Sequence, residues 1–259
     1  MFDGRIFVCA DIHGSATAIR NIINQIESPQ KNDIIIVAGD AGFEYDTSIM
    51  GSAKKAAKKF PGTFIVMRGN HDSSYWYEHT ENQSDEDVKA RDGWTVENGF
   101  LYQNKYPNIW YVYDNGGIYS IGDYNFLFLP GAYSIDKDYR LRRGFPYNKN
   151  EQLDYSVMCE LIDLVKSWND NGFPIDFVIG HTFPRKLEPL YNYLFLSNFD
   201  QSNVDHRTEQ WLDQMADLFE VNPDFKQYFG GHFHDTKSLN DKYTMVYQIP
   251  INVKKWIGE

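Results

Sequence analysis

The sequence predicts an α/β fold, one domain over residues 1–259, in which short buried strands alternate with amphipathic helices. Three observations predict it. Five short apolar runs, Arg5–Ala10, Asp33–Ala38, Thr63–Met67, Asp176–Ile179 and Tyr228–Gly230, each stop at a polar tip. The first three are separated by stretches of helical period, the spacing of parallel strands joined by right-handed crossovers. The run Ile34–Ala38 is apolar on both faces, as a sheet covered on both sides requires.

Taken in order, the strand ending near Ala10 leads into a helix over Ser15–Glu27. Ile19, Ile22, Ile23 and Ile26 form its apolar face, and Pro29 stops it. The strand Ile34–Ala38 follows, then a helix around Ser52–Phe60, the turn Pro61-Gly62 and the strand Thr63–Met67. Glu78–Asp92 is polar and acidic without apolar period, so it reads as a solvated excursion. Trp110–Tyr113, Gly117–Ile121 and Tyr124–Leu129 read as a meander, with Asp114–Gly117 and Gly122-Asp123 as its turns. Pro130–Asn150 is expected to be irregular. A helix from Glu151 to about Trp168 places Leu153, Val157, Leu161, Leu164 and Val165 on one stripe, and Asn171-Gly172 ends it. The strand Ile175–Ile179, the helix Thr208–Phe219, the strand Tyr228–Gly230 and a pair around Thr244–Ile249 complete the chain.

Composition narrows the function. The chain is 42% hydrophobic and 24% charged, with a net charge of −11. An acidic protein without a basic tract is a poor match for broad nucleic-acid or anionic-membrane binding. A phosphorylated substrate stays compatible, because bound metal ions would dominate the local field. The two cysteines, Cys9 and Cys159, build no disulfide framework and read as buried reduced thiols, which places the chain in the cytoplasm. No stretch has the apolar length of a signal peptide or a membrane span.

The polar tips carry the chemistry. They read Asp11-Ile12-His13, Gly39-Asp40, Gly69-Asn70-His71-Asp72, Gly180-His181 and Gly231-His232-Phe233-His234. Asp40 falls 29 residues after Asp11, and Asn70 falls 30 after Asp40, the length of a strand-helix-strand unit. These tips should therefore lie on neighbouring strands. Any one alone fits a turn, a cap or a hydrogen-bonded structural histidine. Five in order, each behind an apolar strand, deliver carboxylate, imidazole and amide oxygen to one sheet edge. That donor mixture suits first-row divalent ions.

This ordered set resembles the calcineurin-like metallophosphoesterase superfamily, and the motifs run from residue 11 to residue 234; the stretches Gly131–Arg140 and Asp200–His206 look like those of a branch of bacterial and phage type. The resemblance implies a four-layer α/β/β/α sandwich with two divalent ions at strand ends, manganese in vitro, with iron, cobalt, nickel or zinc as other choices. Asp11, His13, Asp40 and His234 would hold one ion, and Asp40, Asn70, His181 and His232 the other, with Asp40 bridging. His71 would touch the phosphate or the leaving oxygen as a charged ring oriented by Asp72. The reaction implied is attack of a metal-bridging hydroxide on a small phosphodiester or phosphomonoester, nucleotides included.

The protein phosphatases of that superfamily follow Gly-Asp with a further Asp-Arg-Gly. Here the run is Gly39-Asp40-Ala41-Gly42-Phe43, which argues against a phosphoprotein substrate. Arg140, Arg142 and Arg143 are the candidates to clamp substrate phosphate instead. Tyr75-Trp76-Tyr77 can stack a base or pack a short helix. His79 and His206 read as solvated. Two rival functions stand beside the hydrolase: a metal-dependent nuclease, which the net charge opposes, and a non-catalytic metal-binding scaffold, which the full ligand set opposes. Oligomeric state is open.

Overall fold

A computed structural model describes residues 4–44, 48–73, 93–144, 147–191 and 204–258, side chains at 48–50 excepted. The N-terminal half builds the first sheet. Strands β1 (Ile6–Cys9), β2 (Ile34–Ala38) and β3 (Thr63–Met67) are parallel neighbours, with Val8 opposite Ile36 and Ile36 opposite Ile65. Helix α1 (Ala16–Gln25) joins the first two. Ser15 caps it by accepting from the Ala18 N–H at 3.1 Å, and Ala18, Ile19 and Ile22 face the core. Helix α2 spans Ser48–Ala57, four residues earlier than its composition indicates. Its expected last turn, Lys58–Phe60, instead tightens into the Pro61-Gly62 corner, with Lys59 and Phe60 N–H bonding Ala56 and Ala57.

The middle of the chain departs from the expected meander. Strand β4 (Trp94–Glu97) and β5 (Phe100–Gln103) form a hairpin about Asn98-Gly99, both at positive φ, 52° and 79°. β6 (Ile109–Tyr111) pairs parallel with β3 and antiparallel with β5, so it joins the hairpin to the parallel strands of the first sheet. β7 (Gly117–Ile121) and β8 (Tyr124–Leu129) form a hairpin in the other sheet. Asp114–Gly117 is thus a crossing between sheets rather than a hairpin turn. Asn98-Gly99 was the legible signal for β4–β5, since Asn-Gly supplies the two left-handed residues of a tight hairpin turn.

The second sheet continues with β9 (Phe177–Gly180), β10 (Gln227–Gly230), β11 (Lys237–Ser238) and β12 (Tyr243–Met245). Its order is β11-β12-β10-β9-β8-β7, while the first sheet runs β13-β1-β2-β3-β6-β5-β4, with β13 at Ile251–Asn252. The expected final pair around Thr244–Ile249 is therefore divided, one strand to each sheet. Helix α3 (Lys137–Arg143) stands where irregular chain was expected, capped by left-handed Gly144. Helix α4 (Tyr155–Asp170) begins four residues after Glu151, and α5 spans Arg207–Phe219.

Burial divides into three apolar layers. Ile19, Ile22, Ala53 and Phe60 pack on the outer face of the first sheet, where Cys9, Ile35, Val37 and Phe64 point. Val8, Ile36, Ile65, Phe126, Phe177 and Phe229 fill the space between the sheets. Leu161, Val165, Trp211 and Met215 pack the outer face of the second sheet against Leu127 and Val178. The period-2 alternation of each strand feeds both of its faces. The architecture is α/β/β/α. Cys9 is buried, but Cys159 is only half-buried. Among the described residues no helix is long and apolar enough to cross a membrane. Tyr75–Tyr77, His79 and the excursion 78–92 lie outside the described residues.

Candidate metal centre

The C-terminal ends of the parallel strands converge, where backbone N–H and C=O groups are released from the ladder and loops can aim side chains. β1 delivers Asp11 and His13, β2 Asp40, β3 Asn70 and His71, β9 His181, and β10 His232 and His234. The first two loops run side by side: the His13 N–H bonds the Asp40 carbonyl at 2.8 Å, and the Gly14 N–H bonds that of Ala41 at 2.9 Å. Five of these residues take left-handed backbone angles: Asp11 (φ 56°), His13 (49°), Asp40 (52°), His232 (73°) and His234 (53°). Such a conformation costs a non-glycine residue on the order of 1–3 kcal/mol and clusters at functional sites. Gly39 and Gly69 let the loops close. A Cβ on either would lie 2.1 Å from the His181 ring or from the Asp40 carboxylate, respectively.

The cluster grades from buried floor to open rim. Asp11, Asp40, Asn70 and His181 are buried, His13, His71 and His232 half-buried, and His234 exposed. Within Asp11, His13 and His234, one donor atom from each lies within 4.8 Å of the others, and the same holds for Asp11, Asp40 and His181. His13 Nε2 and His234 Nε2 are 3.0 Å apart, and His234 Nε2 stands 3.6 Å from Asp11 Oδ1. Asp40 Oδ2 lies 3.5 Å from His181 Nε2 and 3.9 Å from His13 Nε2, so both carboxylates face both groups. Asn70 Oδ1 joins the second group, 2.7 Å from His181 Nε2 and 3.1 Å from His232 Nδ1. All seven expected metal-site residues are therefore brought together.

The electrostatics follow from burial. Asp11 is pushed well up by burial and by Asp40, against the opposing charge of His181. Burial would raise Asp40 too, but the His181 charge and hydrogen bond, with His71 and His13, hold it low. His181 is driven up to about 9: burial opposes its charge, and the two carboxylates override that. His13, His232 and His234 are drawn down, in each case first by burial. Among the described residues no Lys or Arg forms an ion pair with Asp11 or Asp40. A nitrogen-and-oxygen donor set around two such carboxylates fits divalent cations.

Asp72 differs from expectation. The Asp72 carboxylate accepts from the Gly42 N–H at 2.9 Å, Gly69 at 3.0 Å and Ala41 at 3.2 Å. It braces the loops bearing Asp40 and Asn70 instead of orienting the His71 ring. Burial, then Asp40, pushes it up to about 6. The His71 N–H donates to Asp40 Oδ1 at 2.9 Å, and its ring lies 5.6 Å from that of His13, centre to centre. Burial, more than any other influence, lowers its basicity, with Asp40 opposing and Arg140 adding.

The three arginines part company. Arg140 pairs with Asp136 at 2.8 Å, and its charge adds to burial in lowering His13 and His71. Arg142 Nε donates to the Asp138 carbonyl on the exposed face, and Arg143 lies over the Tyr139 ring. Both are exposed on α3. His206 is not simply solvated: its Nδ1 stands 3.9 Å from the buried Glu209 carboxylate. Two further contributors went unread in the sequence. Tyr247 stacks on His234 with ring centres 5.1 Å apart, and Ser134 accepts from Asn70 Nδ2 at 2.7 Å. Neither sits at a recognisable tip. The Asp136–Arg140 spacing of an i,i+4 pair was the one readable sign of α3.

A family model described as calcineurin-like phosphoesterase matches residues 4–236. Among solved structures the chain is similar to a phosphopantetheinyl hydrolase from Mycobacterium tuberculosis, 14% identical over 98% of this chain and 92% of that one, with a TM-score of 0.43. It is also similar to a protein of unknown function from Aquifex aeolicus, 14% identical over 68% of this chain and 77% of that one, with a TM-score of 0.34. No curated protein matches.

Proposed function

Because this chain belongs to the calcineurin-like phosphoesterase family, whose chemistry is metal-dependent phosphoester hydrolysis, we propose that it cleaves a small phosphodiester or phosphomonoester, nucleotides included. The observation that carries this reading is the convergence of two buried carboxylates, an amide oxygen and four imidazoles on one rim without a Lys or Arg ion pair on either carboxylate. Asp11, His13, Asp40 and His234 would hold one divalent ion, and Asp40, Asn70, His181 and His232 a second; Asp11 also stands close enough to the second group to share. Bound ions would neutralise phosphoryl charge and supply a nucleophile at neutral pH.

The chain's own groups do the rest. The rim of half-buried His13 and His71 and exposed His234 leaves an approach for the substrate above the buried floor. His71, held by its backbone N–H on Asp40, would present a ring N–H to the leaving oxygen as charge develops there. Arg140, steadied by Asp136, is near enough for its charge to act on His13 and His71, and is the arginine we assign to a phosphoryl oxygen. The net charge of −11 favours a small substrate over a nucleic-acid strand, and a cytoplasmic setting suits the free thiols.

Turnover of bis(p-nitrophenyl) phosphate beside p-nitrophenyl phosphate, with added Mn2+, tests the reading. His71→Ala should keep its metal and lose roughly 100-fold or more in kcat, whereas Asp40→Ala should lose metal and turnover together. Wild-type protein that binds metal yet hydrolyses neither ester, nor a nucleotide panel, would favour the scaffold reading.

A further inference from the structure

The imidazoles of the two proposed ion sites are held in different ways. The His181 ring, buried in the floor, is aimed by its second nitrogen: Nδ1 bonds with the Ala38 carbonyl at 2.9 Å, which leaves Nε2 for the site. That is the usual way to orient a ligating imidazole. His234 lacks it. Its side chain is 50% exposed, and among the described residues no hydrogen bond reaches its Nδ1. We infer that Tyr247 and Gln248 are positioning residues for the ion held by Asp11, His13 and His234, and that they set its affinity more than that of the second ion. The inference rests on the proposed two-ion reading.

These residues lie where the chain crosses from the second sheet to the first. The Val246 N–H bonds the Gly230 carbonyl at 2.8 Å, just before the tip that carries His232 and His234. The Tyr247 N–H donates to Thr236 Oγ1 at 3.2 Å, just after that tip. The Ala10 N–H donates to the Tyr247 carbonyl at 2.9 Å, immediately before Asp11. Gln248 Nε2 donates to the Asp11 carbonyl itself at 2.9 Å, holding a residue whose backbone is left-handed, at φ 56°. Three residues in a row thus tie together the two loops that supply Asp11 and His234.

The Tyr247 ring covers one face of His234, with centres 5.1 Å apart and planes 19° from parallel. A face contact leaves the edge of the imidazole open. On that edge, Nε2 stands 3.0 Å from His13 Nε2 and 3.6 Å from Asp11 Oδ1. Stacking takes the place of the hydrogen bond that His181 has, because it fixes the plane in which the nitrogen lone pair lies. Among the described residues neither Tyr247 nor Gln248 has a ring contact or hydrogen bond with Asn70, His181 or His232, so the second group is held without them.

Calorimetric titration of the metal-stripped protein with Mn2+ tests this, with thermal unfolding of the metal-free form as the folding control. Wild type should show two sites. Tyr247→Leu keeps bulk but loses the flat face, and should weaken one site about tenfold, the lower end of the loss for an outer-shell partner, with the other within about twofold. Tyr247→Phe keeps the face and should bind both ions as wild type does. Gln248→Leu should weaken the same site, and it decides if Tyr247→Leu does not unfold cooperatively. Wild-type affinity at both sites in the deciding variant, or equal weakening at both, overturns the inference. So does a Tyr247→Phe protein as impaired as Tyr247→Leu. Wild-type protein that binds fewer than two Mn2+ overturns the two-ion reading and takes the inference with it.

Discussion

Two buried charged clusters in this chain, one behind the first sheet and one at its rim, are built on opposite principles. Behind the sheet, Lys54 Nζ pairs with Glu44 at 2.6 Å, Tyr111 donates to the same carboxylate at 2.5 Å, and Gln103 accepts from Lys54 at 3.1 Å. Each charge there has its counter-charge within the protein. At the rim, the ion-pair partners of Asp11 and Asp40 among the described residues are imidazoles, and of the five rings there burial draws four toward neutrality. Five of the seven positive-φ non-glycine residues described lie at the rim and none in the Lys54 cluster. The difference separates charge buried for structure from charge buried for a ligand. The first is self-satisfied and relaxed; the second is strained and short of positive charge.

Neutralising one member of each cluster should move stability in opposite directions. Lys54→Met strands Glu44 and Tyr111, and denaturant unfolding should show a loss of about 3–5 kcal/mol with Mn2+ affinity unchanged. Asp11→Asn should raise the Tm of the metal-stripped protein, because burial and Asp40 already disfavour the Asp11 charge, while removing Mn2+ binding. A lower Tm in the stripped Asp11→Asn protein would break the distinction.

Glu209 offers an intermediate case. It is buried near Arg185, Glu188, Tyr191, Asp205 and His206, and burial pushes it up to about 7 from 4.5, with Arg185 opposing and Asp205 and Glu188 adding. The folded-state value is raised, so the neutral acid stabilises. That contribution is complete below about pH 4.5 and is lost as pH rises through about 7. At alkaline pH the charged form should cost up to about 3 kcal/mol. Glu209→Gln should flatten the stability profile over that window, and an unchanged slope would show that the acid is charged and paired when folded. The smallest effect separates the arginines. Arg140→Ala should lower kcat/KM about tenfold, near 1.4 kcal/mol, and Arg142→Ala by less than about twofold.

Much of this was legible because it is local. An apolar run, a turn residue and a ligand-bearing tip occupy adjacent positions, so β1 to β3, β9, β10 and the residues at their ends could be read directly. Hairpin and sheet membership were less readable. β6 and β7 are five residues apart in the chain yet lie in different sheets, because the choice depends on which buried face meets which layer. Helix α3 was missed for a related reason: it has no buried residue, and so no apolar stripe to announce it.

By itself, then, the sequence determined the alternation of strands and helices, the polar tips and the donor chemistry they offer, since these are properties of neighbouring residues. Only the tertiary structure decided that loops 221 residues apart, at Asp11 and His232, share a hydrogen bond, and that Asp72 braces loops rather than the His71 ring. It also paired Arg140 with Asp136, left Arg142 on the exposed face of α3, and set Ser134 behind Asn70. Those relations depend on the packing of two sheets across a common core, which fixes distances that no spacing along the chain encodes.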